Sequence, residues 1–102
     1  MFTPTEREAL LFAAVGTDDV KRIKELLEQD VNIEAKNSDG NTVLVVAVKN
    51  GNIEVVRTLL DQKADIDAEN KGLTPLISAL DSCHEQIAML LINRGANPNI
   101  GF

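Results

Sequence analysis

Tryptophan and tyrosine are absent from this sequence, and aromatic residues make up only 3% of it. A core without large rings must be assembled from Leu, Ile, Val and Ala. The same shortage removes the aromatic platforms on which single-stranded nucleic acid stacks. Basic charge is also scarce: 10 Lys and Arg stand against 16 Asp and Glu, a formal net charge of −6. Phosphate backbones and anionic bilayers demand clustered Lys and Arg, so neither nucleic acid nor a membrane surface is expected as a partner. The one cysteine, Cys83, permits no internal disulfide and points to a reducing, cytoplasmic setting. No stretch approaches the roughly 18 apolar residues of a membrane span. The apolar run from Ala9 to Val15 follows Glu6, Arg7 and Glu8, a poor lead-in for a secretory signal. The six glycines are scattered, so no phosphate cradle forms, and no Cys/His spacing suits zinc. No cofactor and no metal are expected.

What remains is globular in character, with 44% hydrophobic and 25% charged residues in 102 positions. That length suits one small domain. The densest basic run, Lys21 to Lys24, is interleaved with acids. Asp18–Arg22, Lys21–Glu25 and Lys24–Glu28 are each four residues apart, as expected of a solvated helix face.

The segment Val43 to Val48 poses the central question, because four of its six residues are valine. Valine favours strands over helices. Internal periodicity decides the matter. Gly40, Thr42, Leu44, Ala47 and Leu59 recur as Gly72, Thr74, Leu76, Ala79 and Leu91, all at an offset of 32 residues. A third copy lies upstream at an offset of 33, with Leu11, Ala14, Leu26, Leu27, Ile33 and Ala35 matching Leu44, Ala47, Leu59, Leu60, Ile66 and Ala68. The difference of one residue predicts a deletion between Ala68 and Gly72. Thr74-Pro75 reads as an N-cap followed by proline at the first helical position. Thr3-Pro4-Thr5-Glu6 is a capping-box pattern. Both flanking copies are therefore helical, and Val43 to Val48 is expected to be a helix as well. Four valines cost about 2–3 kcal/mol of helix propensity against alanine. Complete burial of each returns roughly 1.5–3 kcal/mol, so stacking between two neighbours is sufficient.

A second helix follows in each copy, in DDVKRIKELLEQ, NIEVVRTLLDQ and HEQIAMLLINR. Asp18, Asn52 and His84 stand near their caps. Apolar residues recur at helical spacing: Val20, Ile23, Leu26 and Leu27; Ile53, Val56, Leu59 and Leu60; Ile87, Leu90 and Leu91. The connectors carry Asp39-Gly40 and Lys71-Gly72 and suit a projecting turn or short hairpin.

These residues resemble the ankyrin repeat. The likeness rests on Asp39-Gly40-Asn41-Thr42 with Leu44 and Ala47, on Glu54-Val55-Val56 with Leu59-Leu60, and on Gly95-Ala96-Asn97-Pro98-Asn99. It implies an all-α solenoid of three stacked helix–turn–helix units with projecting β-turn fingers, divided near residues 1–37, 38–70 and 71–102. The departures matter. Val45 and Ile77 stand where the family often has His, which predicts apolar contact between units. Val43 replaces Pro. Lys63 and Cys83 replace Gly, at a cost of about 1 kcal/mol if φ is positive.

The string Asp81-Ser82-Cys83-His84-Glu85 gathers a thiol, the only imidazole and two carboxylates. Sequence neighbours rarely achieve the aim that a nucleophile and its base require. Its place is the turn between two helices, with His84 helping to cap the second and Cys83 a free thiol. Asp65 to Asn70 begins like a calcium loop, yet Asn70 stands at the sixth position and Leu76 at the twelfth, where Gly and Glu are needed. No enzyme is expected.

The resemblance implicates a surface instead: the finger tips and inner helices of such stacks line a concave groove for a protein partner. Here the finger positions are Ser38, Asp39, Asn41, Asn70, Lys71 and Leu73. The ends of the inner helices contribute Lys49, Asn50, Asp81 and Ser82. Leu73 is the sharpest, an apolar residue expected at an exposed tip. The sequence stops at Asn97-Pro98-Asn99-Ile100-Gly101-Phe102 with no polar capping unit, so some of Leu80, Met89 and Ile92 are expected to be exposed on the third unit, with either more protein following or this end packing on a partner or a second copy. Self-association through that end is the alternative function.

Overall fold

The computed structural model describes residues 3–98; the expectation placed on the segment from Asn99 to Phe102 lies outside them. Six helices follow one another: α1 (Pro4–Gly16), α2 (Val20–Leu27), α3 (Val43–Asn50), α4 (Ile53–Asp61), α5 (Pro75–Asp81) and α6 (Glu85–Asn93). Each odd helix pairs with the next even one. The inner helices α1, α3 and α5 stack in one row and α2, α4 and α6 in a second. The stack measures 44 × 25 × 20 Å. This is the all-α solenoid the repeat predicts.

The valine segment is helical. Thr42 caps α3 by accepting from the Val45 amide at 3.5 Å, and Val43, Leu44, Val45, Ala47 and Val48 are buried. The helix lies between α1 and α5, so burial on two sides outweighs the propensity cost of its valines. Thr74 caps α5 through the Ile77 amide. Thr3 and Glu6 complete the capping box of α1. Val45 and Ile77 are both buried, so apolar contact does stand where the family often places His.

The outer helices correct two caps. Asp19, not Asp18, accepts from the Arg22 amide at 3.1 Å. Asp18 instead takes a left-handed conformation with φ 58°. The register explains the slip, since Asp19 and not Asp18 is the counterpart of Asn52, which caps α4 through the Glu54 and Val55 amides. His84 starts α6 without a side-chain cap bond.

Left-handed residues recur at two places in every unit. Asp18, Gly51 and Cys83 close the inner helices at φ 58°, 81° and 59°, and Asp30, Lys63 and Gly95 follow the outer helices at 64°, 70° and 96°. Lys63 and Cys83 therefore carry the strain that their substitution for glycine implies. At Gly51 a side chain is doubly barred, because a Cβ would come within 2.7 Å of the His84 imidazole.

The expected pairs four residues apart on α2 give way to Arg22–Glu25, three apart at 3.7 Å. Arg57–Glu54 and Arg94–Asp61 are the other ion pairs among the described residues. All are largely solvated and contribute little. Among the described residues, no buried side-chain nitrogen or oxygen lacks a hydrogen-bond partner.

Two outcomes test this account. A peptide spanning residues 41–51 shows no helical circular dichroism in water, because nothing buries its valines. Lys63→Gly raises stability by ~1 kcal/mol, whereas Gly51→Ala lowers it by ~1–2 kcal/mol, both read from urea midpoints. Equal midpoints for the three proteins contradict the strain assigned to these turns.

Candidate protein-binding surface

The fingers owe their shape to two asparagines at equivalent positions. In the first, Asn37 and Asn41 pair through the Asn37 amide and the Asn41 carbonyl at 2.9 Å. The Asn37 side chain also accepts from the Asp39 and Asn41 amides at 3.0 and 3.1 Å. In the second, Asn70 and Leu73 exchange both backbone bonds at 2.9 Å. Two residues lie between them, Lys71 at φ 54° and Gly72 at φ 81°. Both positive angles mark the hairpin turn whose twist suits antiparallel strands. The first finger holds three residues at the matching place, 38–40, so the missing residue of the repeat is lost from the second finger tip.

The fingers are joined to each other. Asn70 donates from Nδ2 to the Asp39 carbonyl and to Asn41 Oδ1, each at 3.0 Å. Its amide lies so close to Gly40 that a Cβ there would sit 2.9 Å from Oδ1. Glu34 accepts from the Asp65 amide at 2.7 Å, and Asp67 accepts from the Asn97 amide at 2.9 Å. Glu34 and Asp67 are equivalent, so one carboxylate-to-amide clasp is used between successive units. The calcium-like string is thereby absorbed into the stack: Asp67 holds Asn97, and Asp65 accepts from the Asp67 amide. Among the described residues no group of three His, Cys, Asp or Glu could hold a metal ion.

The sequence-predicted residues fall into two clusters. Ser38, Asp39, Lys71 and Leu73 are exposed on the fingers, with Asn41 and Asn70 half-buried between them. Lys49, Asn50, Asp81 and Ser82 are exposed at the far ends of α3 and α5. The eight-residue α3 separates the two groups by about 12 Å of helix. Leu73 is 42% exposed. At the helix ends His84 donates from Nε2 to the Lys49 carbonyl at 3.2 Å, tying the third unit to the second. That bond, and the contact with Gly51, occupy the imidazole of the Asp81–Glu85 string, while Cys83 is a free, exposed thiol.

One part of the surface escaped sequence reasoning. Between α1 and the first finger lies a hollow lined by Thr5, Glu8, Ala9, Phe12, Lys36 and Asn37. Phe12 holds the position of Val45 and Ile77 but is only half-buried, because no unit precedes it among the described residues. The usable signal was an aromatic ring at that register position in a chain with so few.

The ankyrin-repeat family model, in three copies, matches residues 8–101. No curated protein matches the chain. Ankyrin repeats generally act as protein–protein interaction modules and are typically not enzymes. No helix among the described residues is long and apolar enough to cross a membrane. Stacked helix pairs, paired fingers and the match along nearly the whole sequence agree: the chain belongs to the ankyrin-repeat family.

Proposed function

We propose that this chain is a non-enzymatic, cytoplasmic scaffold module that grips a protein partner along its finger tips and inner helices. The observation that carries the reading is Leu73, a leucine 42% exposed on a hairpin that Asn70 fastens to its neighbour. An apolar anchor on a fixed tip is what a partner can bury at small ordering cost. Exposed Asp39 on the first finger and Lys71 on the second add opposite charges, which favour a complementary partner and set its orientation. Lys49, Asn50, Asp81 and Ser82 extend the contact toward the far end of the groove. The free thiol of Cys83 suits a reducing compartment.

Retention of native-host proteins on the immobilised chain, read by mass spectrometry, tests this. The Lys71→Ala/Leu73→Ala variant keeps its far-ultraviolet circular dichroism and loses the retained protein. A variant that retains the same protein equally well removes the finger-centred site.

Asn70→Ala leaves both tips in place but unfastens them. It lowers stability by about 1 kcal/mol and weakens partner binding without altering Leu73 itself. Faster amide exchange at Asp39, Asn41 and Leu73 is the accompanying signature. Unchanged exchange there contradicts the bracing role of Asn70.

A further inference from the structure

Asparagine followed by glycine is the pairing at which a side-chain amide is lost most readily, because no Cβ obstructs attack by the glycine nitrogen. Asn50-Gly51 is the one such pair in the sequence. Its asparagine is exposed at the end of α3, so water reaches the side chain. Asn37, which precedes the small Ser38, is held otherwise: its side-chain oxygen accepts from the Asp39 and Asn41 amides.

The fold holds Asn50 away from this reaction. The Gly51 nitrogen, the attacking atom, donates to the Ala47 and Val48 carbonyls, each at 3.1 Å. Ring closure also needs the Asn50 Cβ nearly eclipsed with that nitrogen, which the helical backbone of Asn50 does not allow. Both restraints end when the last turn of α3 unwinds. A brace against unwinding comes from the next unit. His84 Nε2 donates to the Lys49 carbonyl at 3.2 Å, and its ring lies so near Gly51 that a Cβ there would be 2.7 Å away.

We propose that Asn50 is a site of spontaneous deamidation gated by the His84 clasp between the second and third units. The Gly51 nitrogen bonds to Asn50 Cγ and gives up its proton, ammonia leaves, and a succinimide ring remains. Water then opens either ring carbonyl, giving aspartate or isoaspartate. No oxidant, reductant or enzyme is required. Either product places a carboxylate at the C-terminal end of α3, where the helix dipole repels it. Isoaspartate also adds one carbon to the main chain and displaces the Gly51 amide from its two carbonyls. The reaction thus leaves a lasting record of openings of the clasp. It does not depend on the partner-binding reading, although Asn50 belongs to that surface.

The test holds the full chain in warm, mildly alkaline buffer, folded or in guanidinium chloride. Peptide mass spectrometry follows conversion of Asn50 to an acid. The folded chain converts roughly tenfold or more slowly than the unfolded one. Folded His84→Ala converts roughly fivefold faster than the parent, the scale on which losing one hydrogen bond raises the population of an open state. If circular dichroism shows that His84→Ala is unfolded, His84→Leu takes its place, removing the bond but keeping bulk beside Gly51. Arg94→Ala cuts a different link between the same units, the Arg94–Asp61 pair at 2.9 Å, and leaves the rate unchanged. No conversion in guanidinium chloride removes the site. Equal rates in the folded and unfolded chains overturn the protection. A His84 variant no faster than the parent, or an Arg94→Ala variant accelerated as much, overturns gating by the clasp.

Discussion

Everything in this molecule depends on the apolar contact between successive inner helices. No helix here could stand alone in water. The longest has 13 residues and α5 has seven, at or below the length at which isolated helices become marginal. Burial against the neighbouring unit supplies what local propensity does not. The valine-rich α3 is the extreme case, because its composition favours a strand and only its place between α1 and α5 makes it coil. The backbone strain at Asp18 and Cys83 is tolerated for the same reason: each turn is fixed from both sides by helices already committed to packing.

Hydrogen bonding refines what burial establishes. The clasps between units run through short polar side chains and backbone groups: Glu34 to Asp65, Asp67 to Asn97, Asn70 to Asp39, and His84 to Lys49. Apolar contact is non-directional and would tolerate sliding. These bonds demand particular angles and so fix the rotation of one unit on the next. That fixed rotation aligns the fingers.

Much of this was legible in the residues. The repeat offsets of Gly40, Thr42 and Leu44 identified the units, and the caps at Thr3 and Thr74 followed from side chains that bond locally. The exposure of Leu73, and of residues among Leu80, Met89 and Ile92, also followed, because register places them where no neighbour among the described residues reaches. What could not be read were contacts that depend on the distance between units. Asn70 looked like a free tip residue, and only the folded chain brings its amide to Asp39 and Asn41. The hollow beside Phe12 has the same origin, being formed by α1 and a finger distant in sequence. The slip from Asp18 to Asp19 is of another kind. Two adjacent aspartates offer the same side chain, and backbone sign alone separates the cap from the turn. Pairing of Arg22 with Glu25 in place of the wider spacings reflects solvated side chains with several nearly equal choices.

The clasps between units span 29 to 35 residues, so each reaches only the adjoining unit. Such a design makes length an inheritable variable. Duplicating or deleting one unit changes the number of clasps but not the chemistry of any of them. A gene encoding this stack can lengthen or shorten by whole units while the fit of every remaining pair is preserved.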